Sequence, residues 1–354
     1  MKNLKTTTLS ILLLLTSVCI AQKEAQLNLD TASFDIVFNK LNLDKDNIVI
    51  SIGESHSTKG TYKTQLYILD KLFKRGYNTL FRERGVSDAN ILNMYMTTGD
   101  TSLLDFTLER ERTGAKKKFM TSIYKMNVIN KYGVKFKGFD FERPRALGFF
   151  FSRWLSGVRI NKLDYDSLSN YYFKIADTKV SCFEDYMKLI EGTDSILKKV
   201  KKSLLDNNEQ YKKILGDNYR LFESIIYNPV EPDFRLRDVN MKKVILKNEL
   251  DEGIKKSIII AGSDHISSKK GLVPLLADNL SEKYKFICIL FIYKNCENPY
   301  KDQPHTDPKS ELRKYSSYKE TDTPLVQCFI PENKIKTKQK KELTTIVVEL
   351  FNQK

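Results

Sequence analysis

The chain has 354 residues, 41% hydrophobic and 29% charged, with 9 Pro and 15 Gly. That balance excludes collagen-like, disordered and coiled-coil classes and leaves apolar material for one large domain or two. The formal net charge of +15 is spread over short clusters at 116–118, 198–202 and 334–341. Such clusters read as solvated surface, so a nucleic-acid groove is not indicated, and a weak attraction to an anionic envelope is all that net charge implies.

Lys2 and Lys5 precede an apolar run from Leu9 to Ile20 that ends in Cys19-Ile20-Ala21. This is the pattern of a secretion signal, residues 1–21, cleaved after Ala21. The run is short for a bilayer span, and no later stretch reaches the ~20 apolar residues that a membrane helix needs. The expectation is an exported protein, periplasmic or secreted, without a transmembrane segment once the signal is removed. A lipoprotein built on Cys19 fits less well, because Thr16 stands where Leu is expected and Val18 comes directly before the cysteine. Beyond the signal, Cys182, Cys288, Cys296 and Cys328 form no CxxC or other close pair, which disfavours zinc-ribbon and thioredoxin-like chemistry. An oxidising compartment would allow Cys296 and Cys328 to pair. Cys288, inside the run 286–290, reads as core.

Short β-branched runs, each followed by a helical pattern, predict an α/β fold: a mainly parallel central sheet flanked by helices. Asn47 to Ile52 is the first strand, and Leu66, Leu69, Leu72 and Phe73 follow at helical spacing until Gly76. Residues 77–81 form a second strand, 88–97 and 117–131 helices, and 134–141 a third strand. The pattern then turns mostly helical from Pro144 to Asn228, which reads as an insertion. It resumes with a helix over 235–250, a strand over 257–261, a helix over 272–280 and a strand over 286–293. Residues 295–322 are polar and contain Pro299, Pro304 and Pro308, as a flap or surface excursion would. Apolar segments at 325–330 and 345–351 close the chain. The expected organisation is therefore 22–143 and 229–354 as two parts of one α/β domain, with 144–228 inserted between them.

Two segments repeat one design. Ile50-Ser51-Ile52-Gly53-Glu54-Ser55-His56 and Ile259-Ile260-Ala261-Gly262-Ser263-Asp264-His265 are each a strand running into Gly-x-x-His. A glycine that can turn sharply places an imidazole just past the strand's carboxyl end, where ligands of open α/β sheets bind. The chain has only three histidines, so two at matched strand ends point to function rather than to packing. His305, in the polar Pro-rich stretch, reads as an exposed loop residue.

Carboxylates occupy comparable places: Glu54 in the first motif, Glu83 at the end of the second strand, and Asp140 and Glu142 after the third. Parallel strands bring such groups to one edge, where carboxylates around imidazole shift proton affinities and support a general base acting on water. The same groups can supply nitrogen and oxygen ligands for a divalent metal. Glu142, beside Arg143 and Arg145, is equally well explained as an ion pair. Arg235, Arg237 and Asp238 open the helix before the second motif. An arginine there can bind a substrate carboxylate or phosphate or stabilise an oxyanion, or it can pair with Asp238 or Glu231. No Gly-x-Ser-x-Gly elbow, His-Glu-x-x-His helix, P-loop or Gly-x-Gly-x-x-Gly fingerprint is present.

These motifs, in this order, resemble a superfamily that includes erythromycin esterases, ChaN-like haem-binding proteins and TraB/Tiki proteins. The matching residues are Gly53 to His56, Glu83, Gly138-Phe139-Asp140, Arg237-Asp238 through Met241, and Ala261 to His265 with Gly271. The resemblance to the esterases implies that His56 activates water without a metal, with Glu54 and Glu83 orienting it and Arg237 and His265 binding the substrate or transition state. Asp140, Glu142 and Arg235 are expected to line the substrate site. The esterases usually have Gly-Glu-x-x-His, and here one residue fewer separates Glu54 from His56. That spacing looks more like the TraB/Tiki branch, which implies a metal-dependent peptidase with His56, His265 and Glu83 as ligands. The ChaN branch implies haem or small-ligand binding without turnover. The sequence thus predicts a hydrolase acting on a small-molecule or peptide ester or amide, with the cofactor, none or a divalent metal, left open.

Overall fold

The computed structural model describes residues 29–45, 47–54, 61–107, 114–178, 183–228, 236–247, 254–296, 312, 314–316 and 324–352. The signal segment 1–21, Cys182, most of 297–323 and His305 lie outside them. In chain order the elements are α1 (Thr31–Lys40), β1 (Ile48–Glu54), α2 (Thr61–Phe73), β2 (Thr79–Arg82), α3 (Val86–Thr98), α4 (Ala115–Asn130), β3 (Lys135–Gly138) and α5 (Pro144–Leu155). A small hairpin, β4 (Arg159–Ile160) and β5 (Leu163–Asp164), leads into α6 (Tyr165–Ala176), α7 (Phe183–Asp206), α8 (Asn208–Leu215) and α9 (Tyr219–Ile226). The chain continues through α10 (Arg237–Ile245), β6 (Lys256–Gly262), α11 (Ser263–Ser267), α12 (Leu272–Leu280), β7 (Lys285–Lys294), β8 (Leu325–Phe329), β9 (Ile335–Lys336) and β10 (Glu342–Phe351).

The main sheet runs β3-β2-β6-β1-β7-β10-β8, with β9 paired to β10. All pairs from β3 to β10 are parallel, and β8 and β9 run antiparallel to β10. Every residue of β1 is buried, as expected of a central strand covered on both faces. Ile48, Ile50 and Ile52 pack into one core with α2, whereas Val49 packs into a second core with α12. The connections that follow β1 and β6 therefore lie on opposite faces of the sheet. Adjacent parallel strands whose connections diverge in this way leave a crevice between their carboxyl ends.

Helix starts and ends follow local chemistry. Asp30 and Asp164 accept backbone N–H groups at the starts of α1 and α6, and Pro144 opens α5. Gly76, at φ 84°, turns the chain from α2 towards β2. The two motif glycines act differently from the sharp turn expected of them. Neither Gly53 nor Gly262 has a positive φ; at Gly53 a Cβ would lie 3.2 Å from the Ser263 Cα, so close packing of the crevice walls is the constraint. Phe150, Phe151, Tyr165, Tyr172, Tyr211 and Phe222 of the helical stretch join the same core as Ile50 and Ile52.

The Cys296–Cys328 pairing allowed by the sequence is not present. Neither residue is in a disulfide, and both are buried. The Cys296 Sγ lies 3.2 Å from the Leu350 carbonyl oxygen, while Cys328 pairs across β8 with Val348 of β10, the strand that separates β7 from β8. Cys288 is core, as expected, and burial pushes its thiol well above the ordinary range.

β3 abuts the turn after β2 with no room for a side chain: a Cβ on Gly138 would lie 2.0 Å from the Gly85 carbonyl oxygen and 2.7 Å from that of Arg84. Both obstacles are backbone, so Gly138→Ala is expected to destabilise the fold by roughly 3 kcal/mol, measured as a lowered urea midpoint.

Candidate functional site

Five of the residues singled out in the sequence converge: Glu83, Asp140, Arg237, Asp238 and His265. Arg237 is the first residue of α10, a position where the helix dipole opposes a cation, yet two carboxylates hold it there. Its Nε and Nη2 donate to Asp140 Oδ1 and Oδ2 at 3.1 and 2.6 Å, and Nη2 also donates to Glu83 Oε1 at 2.6 Å. The other Glu83 oxygen accepts the Gly262 N–H at 2.8 Å, tying β2 to the end of β6. The Asp140 side chain is 1% exposed and that of Glu83 11%, so these are largely desolvated, charge-assisted contacts. Phe141 stacks beneath the guanidinium, 5.4 Å from its Cζ.

His265, in α11, completes the series. Its Nδ1 lies 2.6 Å from Asp238 Oδ1 and its Nε2 3.5 Å from Glu83 Oε1. Burial disfavours the imidazolium, but hydrogen bonds to Asp238 and Glu83 outweigh it and push the pKa up to about 10. His265 is therefore a cation at neutral pH and a poor base. Asp238 faces His265 and Arg237 faces Glu83 and Asp140, so the pairing of Arg237 with Asp238 considered from the sequence does not form. Neighbouring helical residues point in different directions.

Glu54 and Glu142 are placed elsewhere. Glu54 is buried on the α2 face of the sheet, where Oε2 accepts from Gln65 Nε2 at 2.7 Å and Oε1 lies 3.9 Å from Arg82 Nη2. Glu142 is buried and caps α3, accepting from the N–H groups of Val86 and Ser87, from the Ser87 hydroxyl, and from Asn228 Nδ2 at 2.6 Å. Burial pushes its pKa up to about 7 against the hydrogen bonds of Ser87 and Asn228. Its ion pair with Arg143 or Arg145 does not form either: Arg143 lies 3.9 Å from Asp88 and Arg145 pairs with Asp177. His56 and Arg235 lie outside the described residues. Gln65, Arg82 and Lys116 were not foreseen; an arginine inside an otherwise apolar strand was the visible signal for Arg82.

A divalent metal on Glu83 and His265 does not fit this arrangement. Arg237 already fills the space between Glu83 and Asp140, both Glu83 oxygens accept hydrogen bonds, and the His265 imidazole is cationic. Among the described residues no group of three or more His, Cys, Asp or Glu side chains is placed to hold a metal ion.

Neither a family model nor a curated protein matches the sequence. Solved structures do. A mutant of the erythromycin esterase EreC in its open conformation aligns with a TM-score of 0.59 at 13% identity, covering 92% of this chain and 94% of that one. This chain shares its fold. A Bacillus cereus protein aligns at 0.50 and 17% identity over 91% and 92% of the two chains, and a succinoglycan biosynthesis protein at 0.50 and 15% over 90% and 92%.

Two outcomes follow from the charge network. Arg237→Met leaves the Glu83 and Asp140 carboxylates facing each other without their cation and is expected to lower stability by about 3–5 kcal/mol, read by thermal or urea unfolding. The His265 contribution is complete below its unfolded pKa of 6.5 and is lost as pH rises through about 10. Wild-type unfolding temperature should therefore fall across that window, by at most about 5 kcal/mol of stability, and this component of the fall should vanish in His265→Gln.

Proposed function

We propose that this chain is an exported hydrolase that directs water at an ester, or amide, carbonyl in the crevice between β1 and β6. The observation that carries the reading is the hydrogen-bonded series Asp238–His265–Glu83–Arg237–Asp140 at the carboxyl edge of the sheet. Among its three carboxylates it fixes two cations, His265 and Arg237, at the strand ends, and it is their local charge that suits the oxyanion that forms when a carbonyl is attacked. His265, already protonated and held by Asp238 and Glu83, acts on the carbonyl through its charge and not as a proton acceptor.

Water activation then falls to His56. The sequence puts it two residues beyond Glu54, whose Cα registers against Gly262 at the head of the charged series. His56 takes a proton from water as the oxygen attacks, and the leaving alcohol or amine receives a proton as the tetrahedral intermediate collapses. The fold shared with an erythromycin esterase supports the hydrolytic class, and the named substrate of that enzyme is not carried over. The misfit of a metal among the described residues favours this reading over the metal-dependent peptidase. Export is supported by the Leu9 to Ile20 run behind Lys2 and Lys5. Residues 144–228 are assigned as the insertion that shapes the pocket, which the Asn228 contacts to the Asp140 carbonyl and Glu142 support.

The test is a panel of neutral and charged p-nitrophenyl esters together with small peptides. His56→Ala is expected to lower kcat/KM by roughly 10²–10⁴-fold with the unfolding temperature unchanged, and undiminished turnover in that variant would remove the proposed base. Exhaustive chelation is expected to leave the wild-type rate intact; loss of rate restored by manganese or cobalt would favour the metallopeptidase instead.

A further inference from the structure

The charged series does not stop at the Asp140 side chain; it continues through the backbone of that residue into the helical insertion. Asp140 lies beyond the end of β3 and is 3% exposed, so its main-chain polar groups need partners from elsewhere in the protein. Its N–H donates to the Arg84 carbonyl oxygen at 2.9 Å. Its carbonyl oxygen accepts from Asn228 Nδ2 at 2.8 Å, across 88 residues of sequence.

One amide uses both of its donors here. The same Asn228 nitrogen donates to Glu142 Oε1 at 2.6 Å. The two acceptors, a carbonyl and a carboxyl oxygen that also takes the Val86 N–H, fix which end of the amide faces them. The amide oxygen is buried and has no hydrogen-bond partner. An unmet buried acceptor is costly, and a residue chosen for packing alone would not carry that cost.

Asn228 is in turn fastened to the insertion. Its N–H donates to the Ile225 carbonyl oxygen at 3.2 Å in the last turn of α9. Phe222, Ile225 and Ile226 of that helix are buried in the core that also holds Phe151 of α5 and Tyr211 of α8. The other side of Asp140 has no slack. Gly138 abuts the Gly85 and Arg84 carbonyl oxygens, and a Cβ on Gly85 would lie 2.6 Å from Glu142 Oε2. Of the two hydrogen bonds that hold the Asp140 backbone, the one from Asn228 is therefore the tie to the insertion.

We propose that Asn228 is a positioning residue: it sets the Asp140 peptide, and through the Asp140 carboxylate the Arg237 guanidinium, so that the placement of the insertion's last helix is passed to a cation of the reacting site. The proposal rests on the hydrolytic reading only for its effect on turnover. Arg237 holds Asp140 as a fork, Nε to Oδ1 at 3.1 Å and Nη2 to Oδ2 at 2.6 Å. A fork of this kind depends on the plane of the carboxylate, and a rotation of the Asp140 peptide breaks it.

The test follows the Arg237 Nε–H by 15N NMR in the full chain, its signal identified by its disappearance in Arg237→Lys. Asn228→Leu is branched at the same carbon and removes both donors, and exchange of that proton with solvent is expected to quicken about tenfold or more. Ser87→Ala controls for a merely structural role, since it takes a different hydrogen bond from Glu142 and leaves Asn228 on Asp140. It should lower the unfolding temperature with the Arg237 exchange unchanged. Wild-type exchange in Asn228→Leu overturns the proposal, and so does equal acceleration by Ser87→Ala. Should Asn228→Leu fail to fold, Asn228→Ala decides by the same criterion. In turnover, kcat for p-nitrophenyl butyrate should fall about tenfold in Asn228→Leu with KM changed by less than about twofold, because the cation acts on charge formed in the transition state. An inactive wild type whose Arg237 exchange still depends on Asn228 would sink the hydrolase and leave the positioning role standing. An active wild type with unaltered exchange in Asn228→Leu would do the reverse.

Discussion

One guanidinium organises the carboxyl edge of this sheet. Burying Arg237 with Glu83 and Asp140 removes three charges from water, at a cost of several kcal/mol per ion. The cost is met only because the geometry is nearly complete: Arg237 spans Asp140 with two donors and reaches Glu83 with one of them, and Glu83 takes a backbone N–H with its remaining oxygen. The network joins α10 to the residues that follow β2 and β3, and through Gly262 to β6. The position of His265 is a consequence, since its ring nitrogens meet Asp238 from the same first turn of α10 and the Glu83 oxygen that Arg237 already holds.

Topology then decides what lies opposite this network. Because the helices after β1 and β6 cover opposite faces, the two walls of the crevice are built from different cores and carry different chemistry. The wall beside α10 and α12 holds a closed series in which each acid has a cation. The wall beside α2 and α4 holds Glu54 with Gln65, and an arginine whose donors are only partly used. Glu54 and Glu83, which the sequence brought together around one imidazole, are thus directed to separate walls: Glu54 registers against Gly262, and Arg82, one residue before Glu83, against Ile260 on the other side of β6.

Much of this was legible because buried parallel strands read as unbroken apolar runs. The strand over 286–293 and the helix over 272–280 needed little or no adjustment, and the Gly-x-x-His repeat located the crevice. The third strand came out shorter than its apolar run, 135–138 instead of 134–141, because Gly138 lets the chain close onto Gly85 and Asp140 leaves to meet Arg237. The segments at 325–330 and 345–351 could be seen as apolar but not oriented, since nothing local distinguishes a strand parallel to β7 from one antiparallel to β10. The partners of Glu142 were hidden for a similar reason. Its acidity was evident, but its use as the cap of α3 depends on Ser87 and Asn228, 55 and 86 residues away.

Arg237 opens a helix, where the dipole disfavours a cation, and sequences tend to break such local rules where function intervenes. At Arg237 the contradiction is resolved inside the protein, by Glu83 and Asp140.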